Sequence, residues 1–306
     1  CAPLFGPYRE SEPLPVDGAV RVGELANGLR YYVRENREPQ ARAELRLVVD
    51  AGSILESEEQ RGLAHLVEHM AFNGTEHFEK QELVDYLERV GMRFGPDVNA
   101  YTSFDETVYL LTVPTDSAAL VETGLQILED WARGVTFDSV EVEKERGVVI
   151  EEWRLGQGAG SRMQEKQFPV LLRGSRYAER LPIGTRESLE SFRVEAVRRF
   201  YRSWYRPELM AVVAVGDFDG ARMEQMIREQ FADLPASSGG PERREFDVPD
   251  HEETLIAIAT DPEAPYTTVG VLYKQDPAPF STVGHFRREI VEGLYNGMLN
   301  SRLSEL

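Results

Sequence analysis

The chain has 306 residues, of which 42% are hydrophobic and 28% are charged, and its formal net charge at pH 7 is −19. This balance is typical of a soluble globular protein with one large domain, or with one domain and part of another. The acidic composition disfavours nucleic acid as a partner, because phosphate binding needs basic side chains. It would attract cationic peptides at long range, although acidity alone also keeps a protein soluble. No run of about 18 apolar residues occurs, so we expect no membrane-spanning helix.

The only cysteine, Cys1, stands at the first position of the sequence. A single cysteine allows no disulfide within the chain and no cysteine-based zinc site. A nascent chain begins with Met, so we expect that a segment precedes Cys1 in the full product. A signal peptide cleaved before a cysteine would leave this end in a lipid-anchored bacterial protein. A sequence that was simply cut at this point is the alternative.

The beginning of the chain predicts an extended arm and then a sheet. Residues 1–17 are rich in proline and charge and predict an arm without a core of its own. Apolar and polar residues then alternate in three runs, which predicts strands with a hairpin turn at 26–28. The runs are AVRVGEL, GLRYYVREN and AELRLVVDAGS. We expect these strands to form an antiparallel sheet.

Helices and further strands follow. The sequence predicts a helix over 61–74, a second over 79–90 that Gly91 ends, and another that begins at Asp138, with Glu141 at the capping-box spacing. The runs DVNAYTS, TVYLLTVP and LMAVVAVGDFD predict strands. Because strands and helices come in blocks with few βαβ alternations, the order favours an α+β fold over a doubly wound α/β fold. We interpret residues 18–234 as the first domain.

A second unit is predicted after a linker. The segment 235–250, PASSGGPERREFDVPD, has the composition of a linker. The runs ETLIAIAT and YTTVGVLYK then predict strands, and HFRREIVEGLYNGMLNSRLSEL predicts a helix. Strand, strand and helix is also the order at the start of the first domain. We therefore interpret residues 251–306 as the beginning of a truncated second domain of similar kind.

Three of the five histidines lie in RGLAHLVEHMAFNGTEHF, where His65, Glu68 and His69 form an H-x-x-E-H pattern. On a helix, His65 and His69 are one turn apart and project from the same face, so both imidazoles can bind one zinc ion. Glu68 lies beside that face and is placed to take a proton from a metal-bound water. A polar helix surface is the alternative, but the surrounding residues are apolar, and buried imidazoles need partners. We expect His77 at the surface.

A catalytic zinc site has three protein ligands and an open position, so a third ligand must come from elsewhere. The acidic helix after Asp138 offers five candidates, Glu141, Glu143, Glu145, Glu151 and Glu152. Glu145 and Glu152 are seven positions apart and so lie two turns apart on one face. Spacing alone does not select among the candidates, because most glutamates on such a helix face solvent.

These motifs resemble the pitrilysin/insulinase family of zinc peptidases, whose H-x-x-E-H order defines the inverzincins. Five segments carry the resemblance, in the family's order, over residues 20–220: GLAHLVEHMAFNGT, DVNAYTSFDETVYLLTVP, EVEKERGVVIEEWRLG, LPIGTRESLESF and FYRSWYRPELMAVVAVGDFD. The chain looks most like the long bacterial periplasmic zinc proteases, which implies a place in the periplasm or cell envelope. The implied fold is a tandem of α+β units like those of the mitochondrial processing peptidase, with an antiparallel-rich sheet packed by helices.

The resemblance also implies roles for the residues of the metal site. It implies that His65, His69 and Glu152 bind one zinc ion. Glu68 matches the family's general base, and Glu145 matches the acid that supports the ligands from behind.

Two further residues match the family's substrate strand. Asn99 and Ala100 correspond to the edge strand that pairs with the backbone of an extended substrate. Without the resemblance, Asn99 would be interpreted as a turn or strand-end residue.

The predicted function is that of a zinc-dependent endopeptidase acting on peptides or unfolded segments. The resemblance implies that a C-terminal half of the same protein, or a homologous subunit, completes the active site. The alternative is a non-catalytic or incomplete subunit, although the intact H-x-x-E-H set argues against lost activity. A zinc hydrolase with a non-peptide substrate is a third interpretation, which the strand VNAYTS disfavours.

Overall fold

The computed structural model describes residues 9–80, 82–236 and 239–305. Residues Ala19–Thr267 form one structural unit, and the described residues up to Gly18 and from Thr268 onwards form another. Cys1 lies outside the described residues, as does the first half of the predicted arm, so the expected lipid anchor stays a prediction.

A six-stranded sheet is the centre of the larger unit. Its strands are β1 (Arg21–Glu24), β2 (Arg30–Glu35), β3 (Arg42–Val49), β4 (Val98–Thr102), β5 (Thr107–Pro114) and β6 (Met210–Gly216). They lie in the order β1-β2-β6-β3-β5-β4. The pair β2–β6 is parallel, and the other four pairs are antiparallel. The predicted α+β fold with an antiparallel-rich sheet is confirmed, and β4 lies at an edge.

The alternation seen in the sequence explains which face of the sheet is buried. In β3, Ala43, Leu45, Leu47 and Val49 are buried, and the residues between them are exposed or half-buried. Strand β6 shows the same period of two. Successive strand side chains point to opposite faces, so this pattern directs one apolar face to the core.

Nine α-helices occur in the part of the chain that the structure describes. They are α1 (Leu63–Met70), α2 (Glu82–Arg89), α3 (Ala118–Glu129), α4 (Ser139–Gly156), α5 (Ala159–Leu171), α6 (Arg186–Ser191), α7 (Val194–Trp204), α8 (Gly220–Phe231) and α9 (Val283–Ser304). Helices α3 and α8 pack on the sheet, and α1 packs against α4, α7 and β4. None of the described helices is both long and apolar enough to cross a membrane. The first eight helices belong to the larger unit, and α9 belongs to the smaller unit.

Two local contacts fix helices that carry the predicted site. Asp138 accepts hydrogen bonds from the N–H groups of Val140 (2.9 Å) and Glu141 (3.2 Å), so α4 begins where the sequence predicts. At the end of α1, the buried Trp131 donates its indole N–H to the Ala71 carbonyl at 3.1 Å. The start of α4 and the end of α1 are therefore both held by side chains.

The strands predicted over ETLIAIAT and YTTVGVLYK are wrong for this structure. Residues 251–280 contain no helix or strand, and apolar side chains such as Ile256 (76%) and Val269 (88%) are exposed. A strand needs a neighbour for its backbone N–H and C=O groups, and the described residues give these runs no partner strand. The helix predicted after them does form, as α9.

Strand β3 allows a test of which face of the sheet packs into the core. Leu47 is fully buried between β5 and β6. We expect Leu47→Ala to lower the free energy of unfolding by about 2–5 kcal/mol, because it leaves a cavity. The adjacent Arg46 has 44% of its side chain exposed. Arg46→Ala should change the same quantity by no more than about 0.5 kcal/mol. Denaturant unfolding measures both, and equal losses would contradict the assigned orientation of β3.

Candidate metal centre

Helix α1 brings the H-x-x-E-H residues together because most of its surface is apolar. Leu63, Ala64, Leu66, Val67 and Met70 are fully buried. Packing of these side chains against α4, α7 and β4 leaves one polar face, which opens into a groove. His65, Glu68 and His69 all line that groove.

Helix α4 supplies two carboxylates to the same face. Glu145 accepts a hydrogen bond from Nδ1 of His69 at 2.7 Å, and its other oxygen accepts one from Asn73 at 2.8 Å. The His69 ring is thereby oriented with Nε2 towards Glu152, whose Oε2 lies 3.5 Å away. Glu152 also approaches Nε2 of His65, at 3.8 Å.

His65, His69 and Glu152 form a cluster that could hold a metal ion, with ligand atoms within 4.8 Å of one another. The two Nε2 atoms are 3.2 Å apart. Atoms that bind one tetrahedral zinc ion at about 2.0–2.2 Å lie roughly 3.3–3.6 Å from each other. The two Nε2 atoms, 3.2 Å apart, and the pair His69 Nε2–Glu152 Oε2, 3.5 Å apart, are close to that spacing, while His65 Nε2 lies 3.8 Å from the other carboxylate oxygen, Oε1. Two imidazoles and one carboxylate are also a donor set that catalytic zinc takes, so these residues fit zinc.

The other glutamates considered for the third position lie elsewhere. Glu141 pairs with Lys144, Glu143 with Arg146, and Glu151 with Arg154. His77 also lies outside the cluster, where its half-exposed ring pairs with Asp130 at 2.7 Å. The structure thus brings together the two histidines and the two glutamates that the resemblance implied.

Glu68 faces the groove from α1 and is only 8% exposed. Burial raises the pKa of its carboxyl, against the opposing effect of the Thr102 hydroxyl, which donates to Glu68 Oε2 at 2.5 Å. Sequence reasoning missed Thr102. A signal existed, because Thr102 lies two positions after Ala100 on a strand and therefore shares its face.

The pKa values of the two histidines are shifted in opposite directions. Burial, together with the neighbouring His69, lowers the pKa of His65 to about 3. Burial also acts to lower the pKa of His69, but the hydrogen bond and charge of Glu145 and the charges of Glu68 and Glu152 outweigh it and raise that pKa. In the metal-free chain, His69 therefore carries a proton more readily than His65.

The groove has a volume of about 830 Å³, and the edge strand β4 forms one wall. Its lining also includes an apolar part that consists of Phe72, Val84, Phe94, Pro182 and Ile183. A long wall next to a compact cluster of titratable groups is the shape of a site for an extended ligand.

The hydrogen bonds of β4 show which backbone groups face outwards. The Asp97 carbonyl accepts from Thr112 N–H at 2.7 Å, and Ser103 N–H donates to the Glu106 carbonyl at 2.8 Å. Alternation along an antiparallel strand then directs the backbone groups of Ala100 away from β5, along with those of Thr102. The Asn99 side chain accepts from the outward Ala100 N–H at 2.9 Å.

Comparisons with known proteins show which family the chain resembles. Residues 31–165 match the family model "Insulinase (Peptidase family M16)", and residues 191–301 match "Peptidase M16 inactive domain". A zinc protease PQQL-like from Arabidopsis thaliana is 41% identical over 298 residues, which are 97% of this chain and 31% of that protein. The probable zinc protease PqqL of Escherichia coli is 33% identical over 292 residues, 95% of this chain and 31% of that protein.

A solved structure shares the fold. The first half of the periplasmic protease PqqL from Escherichia coli has a TM-score of 0.74 and 37% identity, over 78% of this chain and 50% of that one. The chain spans about a third of the length of the curated relatives it matches. Two family models, relatives across nearly the whole chain and a shared fold lead to one conclusion: the chain belongs to the insulinase family, peptidase family M16.

Proposed function

We propose that this chain is the zinc-binding part of a metalloendopeptidase that cleaves peptides or unfolded segments. The observation that carries the proposal is the cluster of His65, His69 and Glu152 beside the buried Glu68, in a groove walled by a sheet edge. Relatives described as zinc proteases support it. The metal would be held by Nε2 of each histidine and by the Glu152 carboxylate, while Glu145 orients His69 through Nδ1. Zinc supplies, when bound, a Lewis acid that polarises a carbonyl and activates water at neutral pH.

Glu68 is the proposed general base. Its raised pKa lies closer to neutral pH, where a base both accepts and returns a proton effectively. Thr102 holds Oε2, which leaves Oε1 to take a proton from the attacking water and to pass it to the leaving amine. The hydrogen bond to Thr102 also keeps the carboxylate aimed at the groove.

The edge of β4 is the proposed binding site for the substrate backbone. An extended peptide can add to a sheet edge through its main chain, here at the outward groups of Ala100 and Thr102. In the free chain, Ala100 N–H donates to the Asn99 side-chain oxygen. On binding, a substrate carbonyl would replace that oxygen as the acceptor. The apolar lining beyond the metal cluster suits an apolar substrate side chain. A main-chain site of this kind favours a peptide over another hydrolysable substrate.

The rest of the enzyme is proposed to lie outside this chain. We assign residues 18–234 to a catalytic domain, 235–250 to a linker and 251–306 to the beginning of a second domain of similar kind. A C-terminal half of the same protein, or a homologous subunit, would supply the opposite wall of the groove. The periplasmic relative supports a location in the bacterial periplasm or cell envelope.

Zinc affinity tests the ligand assignment. We expect Glu152→Gln to weaken zinc binding most, because it removes a ligand. Glu145→Gln should weaken it by about 10–100-fold, because it loosens the His69 ring. Glu151→Gln, on an exposed side chain that pairs with Arg154, is the matched control and should have no effect. Competition with a chelator measures all three, and a larger loss for Glu145→Gln than for Glu152→Gln would reverse the assignment.

The pH dependence of zinc binding follows from the two histidines. Zinc needs neutral imidazoles, and His69 has a raised pKa while that of His65 is about 3. Above the His69 pKa, both rings are neutral and histidine protonation costs no affinity. As pH falls through that pKa, we expect the imidazoles to release about one proton per zinc bound. Calorimetry in buffers of different ionisation enthalpy measures this number, and two protons from the histidine pair near pH 6 would contradict it.

Peptide cleavage tests the base. We expect Glu68→Gln to retain zinc and to lower the cleavage rate by about 10²–10⁴-fold, because Gln cannot accept the proton. The assay should use the full-length protein, or this chain mixed with the remainder, and a quenched fluorescent peptide. Glu151→Gln again serves as the control. Unchanged cleavage by a zinc-loaded Glu68→Gln protein would exclude Glu68 as the base.

A further inference from the structure

The start of α1 is capped from outside the helix. Gly62 precedes the helix with φ of +87° and has no side chain that could accept the first N–H groups. Glu56, which is fully buried, accepts from Gly62 N–H at 3.0 Å through one oxygen and from Ala64 N–H at 2.8 Å through the other. Its two oxygens thus supply the acceptors that an N-cap side chain would supply, while burial raises the pKa of the Glu56 carboxyl to about 8.

The loop that carries Glu56 is itself held by a distant segment. Arg180, which is 2% exposed, donates Nε–H to the Glu56 carbonyl at 3.0 Å. Arg176 donates to the Ile54 carbonyl at 2.6 Å and also to the Glu56 carbonyl. In return, the Ser53 hydroxyl donates to the Arg180 carbonyl at 2.6 Å. Glu56 is therefore placed by several hydrogen bonds that do not involve α1.

The same distant segment reaches both the helix start and the groove. A Cβ atom on Gly184 would lie 2.6 Å from the Cα of Gly62, so the two backbones are in close contact. Pro182 and Ile183, immediately before Gly184, line the groove. The start of α1 and the wall near the metal cluster are thus parts of one packed arrangement.

The position of the His65 ring depends on this arrangement more than the position of the His69 ring does. The His69 ring is oriented by Glu145 through Nδ1. The Nδ1 atom of His65 is buried and has no hydrogen-bond partner among the described residues. His65 is also the third residue of α1, within the turn that Glu56 caps. The position of the His65 ring is therefore set chiefly by the backbone of the first turn.

We propose that Glu56 is a positioning residue for the metal centre, because its carboxylate fixes the first turn of α1 and with it the His65 ring. The inference rests on the proposed zinc site. It assigns to Glu56 an effect on metal binding beyond the stability that any buried polar group contributes.

Metal binding by the folded chain tests the inference. We expect Glu56→Gln, which replaces one accepting oxygen by a donor, to weaken zinc binding by about 10–100-fold. It should also change the visible spectrum of the cobalt-substituted protein, because one ligand is displaced. Both are measured below the thermal midpoint of the variant, where circular dichroism shows it folded. Wild-type affinity together with a wild-type spectrum would overturn the inference.

A matched control separates positioning from general stability. Asn27 is buried in the turn between β1 and β2 and donates to the carbonyls of Phe231 (2.8 Å) and Leu234 (3.0 Å). Asn27→Ala should lower the thermal midpoint but leave the zinc affinity and the cobalt spectrum unchanged. If it weakens zinc binding as much as Glu56→Gln does, the effect is one of stability and the inference fails.

A second variant covers the case in which Glu56→Gln does not fold. Glu56→Asp keeps the carboxyl group but withdraws it by about 1.5 Å, so the first turn must shift to meet it. We expect an intermediate loss of zinc affinity and an altered cobalt spectrum, and wild-type values for both would overturn the inference. Failure of the wild-type chain to bind zinc would instead contradict the proposed function.

Discussion

The structure depends on the packing of α1 against α4, because this contact places two imidazoles and two carboxylates in one small volume. Both imidazoles and Glu145 are less than a fifth exposed, whereas Glu152 is about half exposed, and polar groups so buried are costly unless each has a partner. The apolar residues of α1 hold the helix in that position, Trp131 holds its end, and Glu56 holds its start. The sheet below provides a rigid base, since β3 and β6 have strands on both sides. The metal cluster is therefore the product of long-range packing, although two of its members are neighbours in sequence.

The pattern of apolar residues along the sequence predicted much of the fold. The period of two in β3 and the apolar run of β6 predicted those strands, the apolar residues of α1 predicted that helix, and Asp138 predicted the start of α4. The i,i+4 spacing predicted that His65 and His69 share a face, which a helix guarantees. Spacing did not distinguish Glu152 from Glu151, since that depends on which side of α4 meets α1. The resemblance to a family implied Glu152, and its role as a ligand stays a prediction.

Two other features depend on contacts between segments that are distant in the sequence. Thr102 contacts Glu68 across 34 positions of the chain, and only the packing of β4 beside α1 creates that contact. Conversely, the runs ETLIAIAT and YTTVGVLYK have strand-like composition but form no strand among the described residues. Strand formation is a property of a pair of segments, so alternation within one segment is not sufficient.

The edge position of β4 has a consequence for the kind of protein that could be cut. A sheet edge forms hydrogen bonds only with a backbone that is extended over several residues. A segment within a helix has its N–H and C=O groups already paired, so it would have to melt before it could bind. The free energy of that local opening would add to the barrier for cleavage. An enzyme built on this groove would therefore sort its substrates by how readily they unfold, before any side chain is recognised.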